Sequence, residues 1–250
     1  LMVRYCKSVG KRFDLFISVG GAMDFRSPAI QYMSLAPGST LLKVLGRDTS
    51  VPLWYRLIKR SIMRLSELIS ATSMDRIRQN TTLVNSRWAG KVTERLYGIA
   101  HWKVLYPPVN LPPAKAPWKH RGDGFLCIAR ISPEKNIEQA IEILSQVRER
   151  GFDVSLRIVG RQGDPNYFEQ VRRLCEQYGT WASLEDALPR EELRSLMDQF
   201  KYGINAAPDE PFGIALAEMV TAGCIVFVPD SGGQIEIVDD HRLIYSDIRD

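Results

Sequence analysis

The chain of 250 residues has no C-x-x-C pair, no G-x-G-x-x-G fingerprint and no long apolar run. Each absence excludes something. The four cysteines, Cys6, Cys127, Cys175 and Cys224, are scattered. That pattern fits buried, reduced thiols and not a disulfide framework or a zinc knuckle. Without the glycine fingerprint, a dinucleotide cofactor loses its usual phosphate turn. The apolar run around Ile225 stops far short of the ~20 residues a membrane helix needs. No secretory leader is visible. His101, His120 and His241 lie far apart, so surface or packing roles are expected, and no metal-ligand cluster stands out.

Charge of one sign is also scarce. The net charge is +4, which gives no reason to expect nucleic acid as a partner. The excess is local: from Val51 to Lys103 ten lysines or arginines face three acids, an excess of +7. Trp54 sits among Arg56, Lys59 and Arg60. A solvated helix face accounts for such a stretch, and a peripheral membrane contact is the other reading. A cytoplasmic protein, peripheral at the membrane face, is the expected localisation. The chain opens on Leu1 and stops at Asp250 after the strand-like "RLIYSD", which reads as a piece of a longer protein.

What is present is a regular alternation. In the second half, "GFLCIAR" (124–130), "VSLRIVG" (154–160), "YGINAAP" and "CIVFVPD" read as strands. Between them "NIEQAIEILSQVRER" (136–150), "NYFEQVRRLCEQYG" (166–179), "REELRSLMDQF" (190–200) and "FGIALAEMVTAG" carry apolar residues at helical spacing. Strands alternating with helices predict a parallel sheet wound on both faces. The first half is sparser. "FDLFISVGG", "TTLVNS" and "WKVLYPPV" read as strands, "RWAGKVTERLYG" as a helix, and 52–79 as a long basic helical region. The stretch 107–124 holds five prolines and two glycines and is the expected linker. The "NTT" at Asn80 matches a glycosylation acceptor but leads into a buried strand, so a structural role is expected.

In open parallel sheets, ligands bind in loops at the carboxyl ends of strands. Those loops here are "ISPEKN", "RQGDPN", "DEPFG" and "SGGQ". They bring Arg130, able to grip a phosphate with two N–H groups, and Lys135, a mobile point charge. "DEPFG" is expected to open a helix with Pro211 in its first turn, whose N–H groups suit an anion. Gly213, Gly232 and Gly233 permit close backbone approach. Together these residues describe a cradle for a diphosphate. Glu210 and Glu218, eight residues apart, are acceptors for hydroxyl pairs: Glu210 for the group attached to the diphosphate, Glu218 for a ribose diol.

These motifs resemble glycosyltransferase family 4. "FLCIARISPEKNIEQAIEIL", "RIVG", "DEPFGIALAEMVTAG" and "SGGQIEIV" match that family's donor-domain pattern in order and spacing. "TLVNSRWAGKVTERLYG" followed by "VLYPPV" resembles the segment before its linker. The resemblance covers 80–245 closely and 13–79 loosely, and within the family it leans toward the enzymes that extend lipid-linked oligosaccharide from GDP-mannose. It implies the α/β GT-B fold, two Rossmann-like doubly wound domains with the first incomplete: 1–110 on the acceptor side, a linker at 111–123, and a nucleotide-sugar domain at 124–250, cut short at its end. It implies a metal-independent retaining transferase, with no cofactor beyond the nucleotide-sugar donor, GDP-mannose or a UDP-sugar. The acceptor hydroxyl would belong to a lipid-linked glycan, another glycan or a small molecule. Arg130 and Lys135 would bind the donor phosphates, Glu210 the transferred sugar, Glu218 the ribose, and the backbone of Phe212, Gly213 and Ile214 the sugar and phosphate.

There are departures from the pattern. No glycine-rich loop is found near the first strand. Where many relatives carry a histidine, "IQYMSLAPG" puts Ser34 or Leu35. Two other readings therefore stay open: a degenerate nucleotide-sugar-binding or scaffolding module, and a nicotinamide-dependent oxidoreductase, against which the missing fingerprint counts.

Overall fold

A computed structural model describes Tyr5, Ser8 and residues 12–34, 72–112 and 116–246. The basic stretch around Trp54 and most of the expected helical region 52–79 lie outside them, as do Cys6 and Leu35. The chain divides into two units, Leu1–Tyr106 and Pro107–Asp250.

Among the described residues, the first unit forms a four-stranded sheet, β1 (Phe16–Ser18), β2 (Ala29–Met33), β3 (Thr81–Val84) and β4 (Trp102–Val104), in that spatial order and parallel throughout. Helix α1 (Met74–Gln79) precedes β3 and α2 (Arg87–Tyr97) follows it. Helix α2 is bounded as its sequence dictates. The Ser86 hydroxyl accepts the Ala89 N–H at 2.9 Å, and Gly98 closes the helix at φ 64°, where a side chain is disfavoured. Met33, Val84 and Ala89 form the core against this helix. The side-chain amide of Asn80 is buried and donates to the Met23 carbonyl at 3.0 Å and to Gln31 Oε1 at 3.1 Å, a structural use of that asparagine. Strand β2 was not legible in the sequence. Its five residues include the "IQYM" stretch, and Ser34 emerges exposed at its carboxyl end.

The second unit has six parallel strands: β5 (Gly122–Ile128), β6 (Ser155–Val159), β7 (Ala182–Glu185), β8 (Phe200–Ile204), β9 (Ile225–Pro229) and β10 (Ile244–Tyr245). Their order is β10-β9-β8-β5-β6-β7. Connecting these are α3 (Ile137–Glu149), α4 (Pro165–Tyr178), α5 (Arg190–Met197), α6 (Ile214–Thr221) and α7 (Ile235–Val238). From β5 the chain winds outward through β6 and β7, then returns to the other side of β5 and winds outward again through β9. The reversal leaves a switch point between β5 and β8, where an open α/β sheet parts its loops.

Helix α3 shows how the core is built. Ile137, Ala140, Ile141 and Leu144 repeat at helical spacing and are fully buried against Leu156, Ile158 and Val171. Truncating Ile141 to alanine would cost about 2–5 kcal/mol. A second cluster under α6 gathers Leu126, Leu216, Met219, Val226 and Val228. Cys127, Cys175 and Cys224 are buried and free. Burial pushes the Cys127 thiol up to about 12, so it stays protonated and inert.

The structure differs from the sequence reading at three further places. Strand β7 was not expected. Within the proline-rich stretch, Trp118–His120 form a tight turn and β5 begins at Gly122. Helix α6 starts at Ile214, so Pro211 lies ahead of the helix and not in its first turn.

Candidate functional site

Five loops lead from the carboxyl ends of strands into helices in the second unit. The two that flank the switch point follow β5 (129–136) and β8 (205–213). They meet where Asn136 Nδ2 donates to the Ala206 carbonyl at 3.4 Å, and through an ion pair: Lys135 Nζ donates to Glu210 Oε2. Both side chains are about 15% exposed, so the pair is shielded yet open to a ligand.

The β5 loop is tightly held. The Ile131 N–H donates to the Arg161 carbonyl at 2.9 Å, and the Gly163 and Asp164 N–H groups return to the Ile131 carbonyl at 3.0 Å. The Lys135 N–H closes a turn on the Ser132 carbonyl at 2.9 Å, and Asn136 adopts φ 49°. Below it, the buried Tyr167 hydroxyl accepts the Ile137 N–H at 2.8 Å and donates to Glu138. Burial, then the Glu138 carboxylate, raises the Tyr167 hydroxyl, which therefore remains a donor. Arg130 is half-exposed and paired with Glu134, whose carboxylate also accepts from Ser132 Oγ at 2.8 Å. Burial pushes the Glu134 carboxyl up, but the Ser132 hydroxyl and the Arg130 guanidinium outweigh it and hold it below the usual range.

The β8 loop is shaped by one glycine and by one aspartate in the left-handed region. Asp209 sits at φ 55° and Gly213 at φ 96°. Gly213 is the N-cap of α6, and no side chain caps that end. The Ile214, Ala215 and Leu216 N–H groups precede the first intrahelical bond, Ala217 N–H to Gly213 O at 3.1 Å. Phe212 is buried and Ile214 is exposed. Glu210 lies in the loop and not on the helix, whereas Glu218 is in the second turn of α6. Glu218 Oε1 stands 3.6 Å from the exposed Arg190 guanidinium.

The "SGGQ" turn after β9 packs on this loop. Gly232 is at φ 81°, and a Cβ there would lie 2.5 Å from the Glu210 carbonyl oxygen. The Gly233 N–H donates to that same carbonyl at 2.8 Å. The two glycines thus sit against the backbone of Glu210. Gln234, next in sequence, is fully buried and was not among the residues expected in the site. Its signal was a polar residue directly after the glycine pair.

The structure therefore brings Lys135, Glu210, Phe212, Gly213, Gly232 and Gly233 together, and sets Arg130 on the same β5 loop. Cations beside helix N–H groups that precede the first intrahelical bond are an arrangement that stabilises negative charge developing on a leaving group. Among the described residues no cluster of three or more metal-ligating side chains occurs, and no helix is long and apolar enough to cross a membrane. A groove of about 470 Å³ lies elsewhere, at the amino ends of β5, β6 and β8. There Arg148 is engaged by Asp153 at 2.8 Å and Arg157 by Glu185 at 2.7 Å. That end of a parallel sheet lacks the strand-to-helix loops that make ligand sites, so the candidate site is the β5–β8 crevice.

Comparison with known proteins agrees with this architecture. The family model described as "Glycosyl transferases group 1" matches residues 113–246. The chain is 27% identical over 181 residues to GDP-Man:Man(3)GlcNAc(2)-PP-Dol alpha-1,2-mannosyltransferase of Dictyostelium discoideum, covering 64% of this chain and 36% of the relative. It is 24% identical over 258 residues to the uncharacterized glycosyltransferase YqgM of Bacillus subtilis, covering 98% of this chain and 67% of that protein. Among solved structures, Anabaena Alr3699/HepE in complex with UDP and glucose superposes with a TM-score of 0.63 at 14% identity, over 94% of this chain and 64% of that one. WaaG, a glycosyltransferase involved in lipopolysaccharide biosynthesis, gives 0.62 at 14% identity, over 95% and 65%. The fold is that of GT-B glycosyltransferases. The chain belongs to the glycosyl transferases group 1 family, and it spans about a third of the length of the mannosyltransferases it matches.

Proposed function

We propose that the second unit binds a nucleoside-diphosphate sugar and that the full-length protein transfers the sugar to an acceptor hydroxyl. The observation that carries this reading is the Lys135–Glu210 pair at the switch point, beside the uncapped start of α6. Lys135 and Arg130 take the diphosphate. The free N–H groups of α6 add partial positive charge where the leaving group gathers negative charge. Glu210 accepts hydroxyls of the transferred sugar, and Glu218 accepts the ribose diol. The groups that stabilise the departing diphosphate are all supplied by the chain, so no metal enters the proposal. The acceptor hydroxyl attacks from the face the diphosphate leaves, and the anomeric configuration is retained.

The donor is GDP-mannose or a UDP-sugar. Support for the first comes from the mannosyltransferase relatives, and for the second from the neighbour that holds UDP and glucose. The acceptor is a lipid-linked glycan, another glycan or a small molecule; the dolichol-linked substrate in the relatives' names favours the first. The excess of +7 between Val51 and Lys103 supports contact of the full protein with an anionic lipid surface on the cytoplasmic side. Binding to anionic but not neutral vesicles at low salt checks that contact, and equal binding to both would refute it.

The test of function is a panel of GDP-, UDP- and ADP-sugars on the full-length protein, read first by thermal shift and then by transfer. One nucleotide should stabilise the protein well beyond the others, and the product should keep the donor's anomeric configuration by NMR. No stabilisation by any of them would refute the proposal.

A further inference from the structure

We infer that Gln234 is a positioning residue that fixes Glu210 against Lys135; the inference rests on the donor reading above. Gln234 is fully buried. A buried amide is costly to desolvate unless its hydrogen bonds are met, and an apolar side chain would fill such a place without that cost. Its bonds are met by the loops after β8 and β9. Nε2 donates to the Ala207 and Ser231 carbonyls, each at 2.9 Å, and Oε1 accepts from Asn205 Nδ2 at 2.6 Å.

Two neighbours complete the stitching. The Asp209 N–H donates to Ser231 Oγ at 3.0 Å, and the Gly233 N–H donates to the Glu210 carbonyl at 2.8 Å. On the far side, the Tyr245 hydroxyl donates to the Asn205 carbonyl at 2.7 Å, and burial keeps that hydroxyl protonated. Asp209, immediately before Glu210, has φ 55°. Aspartate visits that region more readily than most residues, and fixed neighbours help to hold it there. Gln234 fixes those neighbours: it grips the chain at Asn205 and Ala207, just upstream of Asp209, and at Ser231, which holds Asp209. Glu210 therefore points at Lys135 because Gln234 sets the loop.

The experiment is a double-mutant cycle on the full chain, with GDP and UDP titrated by calorimetry. In the otherwise native protein Glu210→Gln frees Lys135 and removes a carboxylate from beside the diphosphate, so the bound nucleotide tightens about fivefold. In a Gln234→Leu background Glu210 is no longer held on Lys135, and the same change gives less than about a twofold effect. Glu218→Ala, a loss on α6 away from the stitched loop, weakens binding by the same factor in both backgrounds; a general loosening of the fold would change both factors. If Gln234→Leu does not fold, Gln234→Glu replaces it. Its carboxylate accepts from Asn205 but opposes two carbonyls, so the Glu210 effect is lost at neutral pH and returns as the pH falls and the protonated carboxyl donates. An unchanged Glu210 effect in the Gln234 variants overturns the inference. If the native chain binds neither GDP nor UDP, the donor reading fails and the inference with it.

Discussion

Lys135 and Glu210 are 75 residues apart in sequence and touch across the switch point between β5 and β8. The cation expected to hold the diphosphate is thus paired with the acid expected to hold the sugar. Binding of a donor must exchange partners: phosphate oxygens for Glu210 on Lys135, and sugar hydroxyls for Lys135 on Glu210. Glu210→Ala is therefore expected to leave affinity for the free nucleoside diphosphate intact or tighten it, while transfer slows by about tenfold or more. Calorimetry and turnover on the same preparation check the split. A parallel loss of both would place Glu210 at the nucleotide.

Glu218 should behave otherwise. It lies in the second turn of α6, about 18% exposed, with Arg190 at 3.6 Å. Glu218→Ala should weaken the nucleoside diphosphate and the nucleotide sugar equally, by roughly 1.5–3 kcal/mol for a lost charge-assisted hydrogen bond. Arg190 is two-thirds exposed, so Arg190→Ala should shift affinity by no more than about 0.5 kcal/mol. Competition binding with both ligands reads the difference.

Gly232→Ala tests the packing of the third loop. The new Cβ would sit 2.5 Å from the Glu210 carbonyl oxygen and 2.7 Å from its nitrogen, at a φ of 81°. All three nearest atoms belong to the Asp209–Glu210 backbone, so no flexible group can yield. A loss of roughly 2–4 kcal/mol in urea unfolding is expected. A stable, fully active variant would show that the turn after β9 does not support Glu210.

The acid limb of stability should come partly from exposed pairs. Hydrogen bonds from Arg172 and Arg173 hold the Glu169 carboxyl down, from 4.5 to about 2. Arg242 does the same for Asp240, from 3.8 to about 2. A folded-state value below the unfolded one means stability that is complete above pH 4.5 and is lost as the pH falls toward 2. The urea midpoint of Glu169→Gln should therefore converge on that of the native chain across this window, and high salt should shrink the gap between them. A gap that widens on acidification would contradict the assignment.

The second unit was legible because its signals are local. Helix α3 announces itself by an apolar residue every three or four positions, and the strands by short buried runs closed by Gly or Pro. The loops after β5 and β8 could be named as a crevice from the winding rule alone. What was hidden depends on tertiary pairing. Strand β7, "ASLE", has one buried residue and so carries no strand-like apolar run; pairing with β6 makes it a strand. The start of α6 was misplaced because "EPFG" looks like a proline-led helix, whereas Gly213 at φ 96° delays it to Ile214. Gln234 had no periodicity to mark it, since its role lies in partners nearly 30 residues upstream. The first unit gave less because its strands are short and one of them, β2, buries a polar residue, Gln31, on its inward face.

The most direct test of the central claim is titration of GDP and UDP into the full-length protein and its Lys135→Ala variant. The account expects saturable binding of one nucleotide to the native protein and a loss of roughly 1.5–3 kcal/mol in the variant, the scale of a charge-assisted phosphate contact. Equal affinity of the two proteins, or no binding to either, would contradict a diphosphate site between β5 and β8.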